Sequence, residues 1–145
     1  MSIVESFSEI RADGKIISRE SSKEEVWSWG PCEIEKISWL CNGRKHEICA
    51  CRNSGLLAEV LPCKSGVAYF CSGSDLKIVN ANGSVRYTFT ANELSGKTNY
   101  ALAWFEPESD QNMLSVILSS EGAGGMLQVS FNTSTGKVVR RSESR

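Results

Sequence analysis

Apolar and polar positions along the chain alternate in short stretches with a period of two, and turn-forming residues interrupt them roughly every 8 to 12 positions. No window of eleven or more residues carries apolar side chains at three-and-four spacing, so long helices are excluded. Two segments suffice for one helical turn each. They are Ser21-Ser22-Lys23-Glu24-Glu25, where Ser21 and Glu24 have capping-box spacing, and Ala91-Asn92-Glu93-Leu94-Ser95. The pattern predicts an all-β fold, an antiparallel meander of about 11 to 13 short strands, in a single domain over residues 1–145.

Repetition sharpens this picture. Turns ending in glycine precede strand-like residues at Asp13-Gly14, Ser54-Gly55, Asn82-Gly83 and Thr135-Gly136, predicting four hairpins. An aromatic strand, a turn and a further strand recur three times, with Trp39, Tyr69 and Trp104 as the aromatic markers. Units of this kind read as propeller blades of four strands. A closed ring takes at least four blades of about 40 residues. At 145 residues the chain supplies about three, which predicts an open, partial β-propeller-like arrangement. Open ends leave sheet surface that is either protected or used for binding.

Charge and composition narrow the function classes. Sixteen Lys and Arg against seventeen Asp and Glu give a net charge of −1, which supplies no general attraction to nucleic acid. No apolar run reaches the roughly 20 residues of a membrane span, and the first residues lack the pattern of a secretory signal. A cytoplasmic location is expected, with no membrane partner. The charges are unevenly placed. Glu93, Glu106, Glu108, Asp110 and Glu121 face only Lys97 in one segment, whereas Lys137, Arg140, Arg141 and Arg145 dominate the C-terminus. The stretch from Glu106 to Asn112 reads as a loop projecting three carboxylates, suited to steering a basic partner or simply to solvation.

Candidate chemistry is sparse. The six cysteines, Cys32, Cys41, Cys49, Cys51, Cys63 and Cys71, form no C-x-x-C pair and read as free, structural thiols before metal or disulfide roles are considered. In Cys49-Ala50-Cys51 both thiols fall on one face of a strand. His46, the single histidine, reads as a turn residue between strands. Gly122-Ala123-Gly124-Gly125 lacks the Lys and Ser or Thr of a phosphate-binding loop and reads as a turn or bulge. No enzyme activity, cofactor or metal is expected. Trp27 and Trp29 fall on one face of a predicted strand ended by Gly30-Pro31, as core, interface anchor or sugar platform.

The meander, the hairpins at Asp13-Gly14, Asn82-Gly83 and Thr135-Gly136, and the small size resemble the half-propeller immunity proteins of bacterial contact-dependent growth-inhibition systems. The likeness spans most of the chain and rests on no single specific motif. It implies a cytoplasmic, non-enzymatic partner of one cognate toxin domain, often a basic nuclease, bound as a heterodimer with its active site covered. Inhibitors of that kind are often strongly acidic, and a charge of −1 departs from this. On this reading Glu93, Glu106, Glu108, Asp110, Glu121, Trp27 and Trp29 form the partner-binding set. The alternative is a self-associating carbohydrate-binding module that stacks Trp27, Trp29, Trp39 or Trp104 on sugar rings.

Overall fold

Among the described residues, twelve strands and two short helices account for the alternation in the sequence. The structure, a computed structural model, describes residues 2–51, 54–71, 75–106, 108–120 and 125–144. The first sheet holds β1 (Glu5–Arg11), β2 (Ile16–Ser18), β3 (Ile34–Cys41) and β4 (Arg44–Cys49), with helix α1 (Lys23–Ser28) between β2 and β3. The second holds β5 (Leu56–Val60), β6 (Gly66–Cys71), β7 (Leu76–Asn80) and β8 (Val85–Phe89). Helix α2 (Ala91–Ser95) leads to the third, made of β9 (Tyr100–Glu106), β10 (Met113–Ser120), β11 (Met126–Asn132) and β12 (Val138–Ser144). All pairings are antiparallel. The predicted open, all-β arrangement of three four-stranded units is what the chain forms.

The second and third sheets are plain meanders, but the first is not. Its strand order is β2-β1-β3-β4, so after β2 the chain passes through α1 and returns to the opposite side of β1. Three of the four predicted glycine hairpins hold, with Gly14, Gly83 and Gly136 all left-handed. The fourth does not. Gly55 has no left-handed backbone, and the strands flanking it, β4 and β5, lie in different sheets. Arg52 and Asn53 of that predicted turn lie outside the described residues. The β3–β4 hairpin instead turns at Asn42-Gly43, both at positive φ, as a tight turn matched to strand twist requires.

Side-chain alternation explains how the sheets stack. In β6, Val67 and Cys71 join one buried cluster with Val4, Ile37, Trp39 and Cys41 of the first sheet and its lead-in. Ala68 and Phe70, pointing the other way, join a second cluster with Leu114, Val116, Leu127, Val129 and Phe131 of the third sheet. The β6 run Gly-Val-Ala-Tyr-Phe-Cys is therefore apolar throughout because both its faces are covered. Polar ties reinforce both interfaces. The buried indole N–H of Trp39 donates to the carbonyl of Ala81 at 2.8 Å. Arg86 donates to Asn80 Oδ1 and the Ser65 carbonyl in the second sheet's region, and to the Thr133 carbonyl beyond β11.

Helix α1 replaces the strand predicted over Trp27 and Trp29. Ser22, not Ser21, caps it by accepting from the Glu25 amide at 3.0 Å. Six residues without one buried side chain owe their helix to the cap and the tethered ends rather than to a core face. Helix α2 matches its prediction, with a full capping box between Thr90 and Glu93.

Glycine marks one place where backbones approach closely. A methyl group at Gly66 would sit 2.1 Å from the Val79 carbonyl oxygen, whereas one at Gly125 would meet nothing within 4 Å. Gly66→Ala should destabilise the fold by about 1 to 3 kcal/mol, a typical cost of forced backbone displacement in a packed core. Gly125→Ala should stay within about 0.5 kcal/mol of the parent. Urea titrations of both variants check this, and equal midpoints would contradict it.

Candidate functional site

The two charged segments seen in the sequence meet each other within the third sheet. Ser115 and Ser130 face one another in the β10–β11 register, and their hydroxyls lie 2.7 Å apart. Glu108 folds back over them instead of projecting. Its Oε2 accepts from Ser115 and, at 2.9 Å, from Ser130, and it pairs with Arg140 of β12 at 3.4 Å. The hydrogen bond from Ser115, followed by that from Ser130 and the Arg140 charge, holds the Glu108 carboxyl below its ordinary range against the opposing effect of burial. Arg141 donates to the carbonyls of Leu94 and Glu93 at the end of α2, and Lys97 pairs with Glu143 at 3.6 Å. Of the expected acidic set, Glu108 is thus the carboxylate neutralised from within among the described residues.

The remaining predicted carboxylates are dispersed. Glu106 accepts from the indole N–H of Trp104 at 2.7 Å. Asp110 is exposed and accepts from the Asn112 amide, which fixes the turn into β10. Glu93 is exposed, but its side chain closes the α2 capping box. Glu121 lies outside the described residues, as do Gly122, Ala123 and Gly124 of the predicted glycine turn.

The tryptophans separate as well. Trp27 stands 87% exposed on α1. Trp29 caps that helix and lies under the Arg11 guanidinium, 5.5 Å from its ring centre, with the Lys15 ammonium at 5.9 Å. Arg11 is itself buried and paired with Asp13 at 2.8 Å, so this cluster pins the helix to the first sheet. Trp39 is core, and Trp104 belongs to the third sheet. Trp27 and Trp104 form no common platform, because helix α1 belongs to the first sheet and β9 to the third, and these sheets pack against opposite faces of the second.

What the sequence did not reveal is the groove beside Trp27. It measures about 700 Å³ and is lined by Ile17, Val26, Trp27, Pro31 and Cys32, with Arg11 among the polar members. Its signal in the sequence was the unbroken polar face of Lys23-Glu24-Glu25 followed by two large aromatics, a composition that fits an exposed helix better than a strand.

A second depression, of about 670 Å³, includes Val4, Phe7, Glu9, Ile17, Val60 and Lys64. Burial, assisted by the charge of Glu59, pushes the Glu9 carboxyl up, and burial alone raises Glu59. His46 is a further correction. It lies in β4 rather than a turn and stacks on Trp39, ring centres 5.5 Å apart. Cys49 and Cys51 do not lie in one strand as the sequence suggests. The β4 strand ends at Cys49, opposite Lys36, and the amide of Cys51 donates to the sulfur of Cys71 at 3.1 Å. Among the described residues no three His, Cys, Asp or Glu side chains gather as around a metal ion, and no helix is long and apolar enough to cross a membrane.

The sequence matches no protein-family model and no curated protein. One solved structure, described as the structure of Tne2 in complex with Tni2, contains a chain of the same architecture. The two share 23% of residues and superpose with a TM-score of 0.85, over 99% of this chain and 100% of that one. At that identity the likeness establishes the fold.

Two titrations follow from these carboxylates. Glu9 has a raised folded-state pKa, so its contribution to stability is full below the unfolded value and lost as pH rises through the folded one. Glu9→Gln should therefore stabilise the protein at pH 7 and leave it unchanged near pH 4, read as the difference between urea midpoints at the two pH values. Glu108 has the opposite sign. Its contribution is present above the unfolded value and lost as pH falls through the folded one. Glu108→Ala should cost about 1 to 3 kcal/mol at pH 7, the range for hydrogen bonds to a charged group, and less in acid. A Glu108→Ala variant as stable as the parent at pH 7 would show that the loop is not held this way.

Proposed function

We propose that this chain is an immunity protein, a non-enzymatic inhibitor that binds one toxin domain and neutralises it. The observation that carries this reading is the end-to-end correspondence with a chain from a complex of two proteins, Tne2 and Tni2. The resemblance of the sequence to immunity proteins points the same way. A single open stack of three sheets, whose polar groups are largely satisfied internally, fits a binding role better than catalysis.

Within that reading the α1 groove is the anchor of the contact and Trp27 its central residue. A tryptophan so exposed, beside an apolar groove on a helix fixed by Arg11 and Trp29, presents the large apolar area that dominates binding energy in interfaces. Trp29 supports it from behind. Glu106 at the end of β9 and Asp110 in the turn before β10 supply long-range attraction to a cationic surface, while Glu108 and Glu93 hold their own segments in place. A net charge of −1 does not demand a nuclease as the target. The cytoplasm remains the proposed location, and a one-to-one heterodimer the proposed assembly.

The test is co-expression with the toxin domain encoded beside this chain's gene. Growth should be restored, and the purified pair should elute as one complex. Trp27→Ala should keep the parent's thermal midpoint, because the side chain packs on little, yet weaken the complex by about 30-fold or more, the loss expected of an interface anchor. A complex indifferent to Trp27→Ala would remove the groove from the interface. Toxicity unrelieved by the intact, folded chain would reject the immunity reading itself.

A further inference from the structure

We infer that Cys51 and Cys71 form a peroxide-responsive dithiol that closes into a disulfide between the first and second sheets. Cys71, the last residue of β6, points into the cluster between those sheets and is buried. Cys51 follows the end of β4 and is exposed. The Cys51 amide donates to the Cys71 sulfur at 3.1 Å, and the two thiols lie within hydrogen-bonding reach of each other. The other cysteines have different neighbours. Cys63 meets the Ser65 hydroxyl at 2.9 Å, and Cys49 is the register partner of Lys36 at the end of β4.

Exposure sets the order of the chemistry. Solvent reaches Cys51, whereas burial and the neighbouring Cys51 thiol push the Cys71 thiol up and keep it protonated. The Cys51 thiolate attacks one oxygen of a hydroperoxide and breaks the O–O bond. It becomes a sulfenic acid as water or an alcohol departs. Cys71 then attacks the Cys51 sulfur, loses its proton and expels the hydroxyl as water. Two thiols are oxidised by two electrons, and one peroxide is reduced. The bond would fix the strand-end segment after β4 to the core strand of the next sheet, adding a covalent tie to the Trp39–Ala81 hydrogen bond and the packed cluster that already join the two sheets.

The experiment uses the purified full chain and hydrogen peroxide in slight excess. The expected product has lost about 2 Da, maps by non-reducing peptide mass spectrometry to a Cys51–Cys71 link, and reverts with dithiothreitol. Its thermal midpoint should rise by at least about 5 °C, as closing a loop of this length predicts for a domain of this size. Cys51→Ser, at an exposed position that leaves the fold intact, should abolish the link. Cys71→Ala should arrest Cys51 as a sulfenic acid trapped by dimedone. The assignment is overturned if the parent chain gives only sulfinic acid at Cys51, or if the link forms to Cys49, Cys63 or another chain. Should Cys71→Ala fail to fold, the parent and Cys51→Ser decide the matter.

Discussion

The architecture depends on one sheet being apolar on both sides. Strands β6 and β7 send successive side chains into two different cores, Val67, Cys71 and Val79 one way, Ala68, Phe70, Leu76 and Ile78 the other. Such a sheet cannot be stable with either face in water, since each large apolar side chain left exposed forgoes about 1.5 to 3 kcal/mol. The first and third sheets therefore have to cover it. Each of those has only one apolar face to offer, so the stack ends there and its outer faces must be polar or occupied.

The two outer sheets meet that requirement differently. The third turns inward electrically. Glu108 of the acidic turn after β9 and Arg140 of β12 pair across Ser115 and Ser130, so the buried outer-face hydroxyls are satisfied by these two side chains. The first sheet carries instead a helix with no buried residue, and beside it a groove that no described residue fills. An exposed tryptophan on its own is ordinary, but beside an apolar groove it forms a larger apolar patch, and this asymmetry directs attention to α1 rather than to the charged loop.

The fold was legible because period-two alternation and positive-φ turn residues are local signals. Asn82-Gly83 and Thr135-Gly136 act within a few residues, and the aromatic strands β3, β6 and β9 each open a hairpin, one in each sheet, although they are the third, second and first strands of their sheets. Ser54-Gly55 misled because the same turn chemistry serves a hairpin and a link between sheets, and only packing separates the two. Trp27 and Trp29 misled for a related reason. Their spacing suits a strand, but the acidic first turn and the Ser22 cap outweigh it, and Arg11 captures Trp29 from a different part of the chain.

The candidate site was less legible than the fold because its charges are read only in pairs. Counting acids between residues 93 and 121 gives an acidic patch, and counting bases after residue 137 gives a basic one. Once β9 to β12 lie side by side, Arg140 reaches Glu108, Arg141 reaches the end of α2, and Lys97 reaches Glu143. A residue in such a pair has already exchanged water for a protein partner, and displacing that partner sets a cost against any new contact. Trp27 bears no such cost. Of the residues singled out from the sequence, it is the one whose exposure, neighbouring groove and fixed backbone all favour a contact made outside the chain.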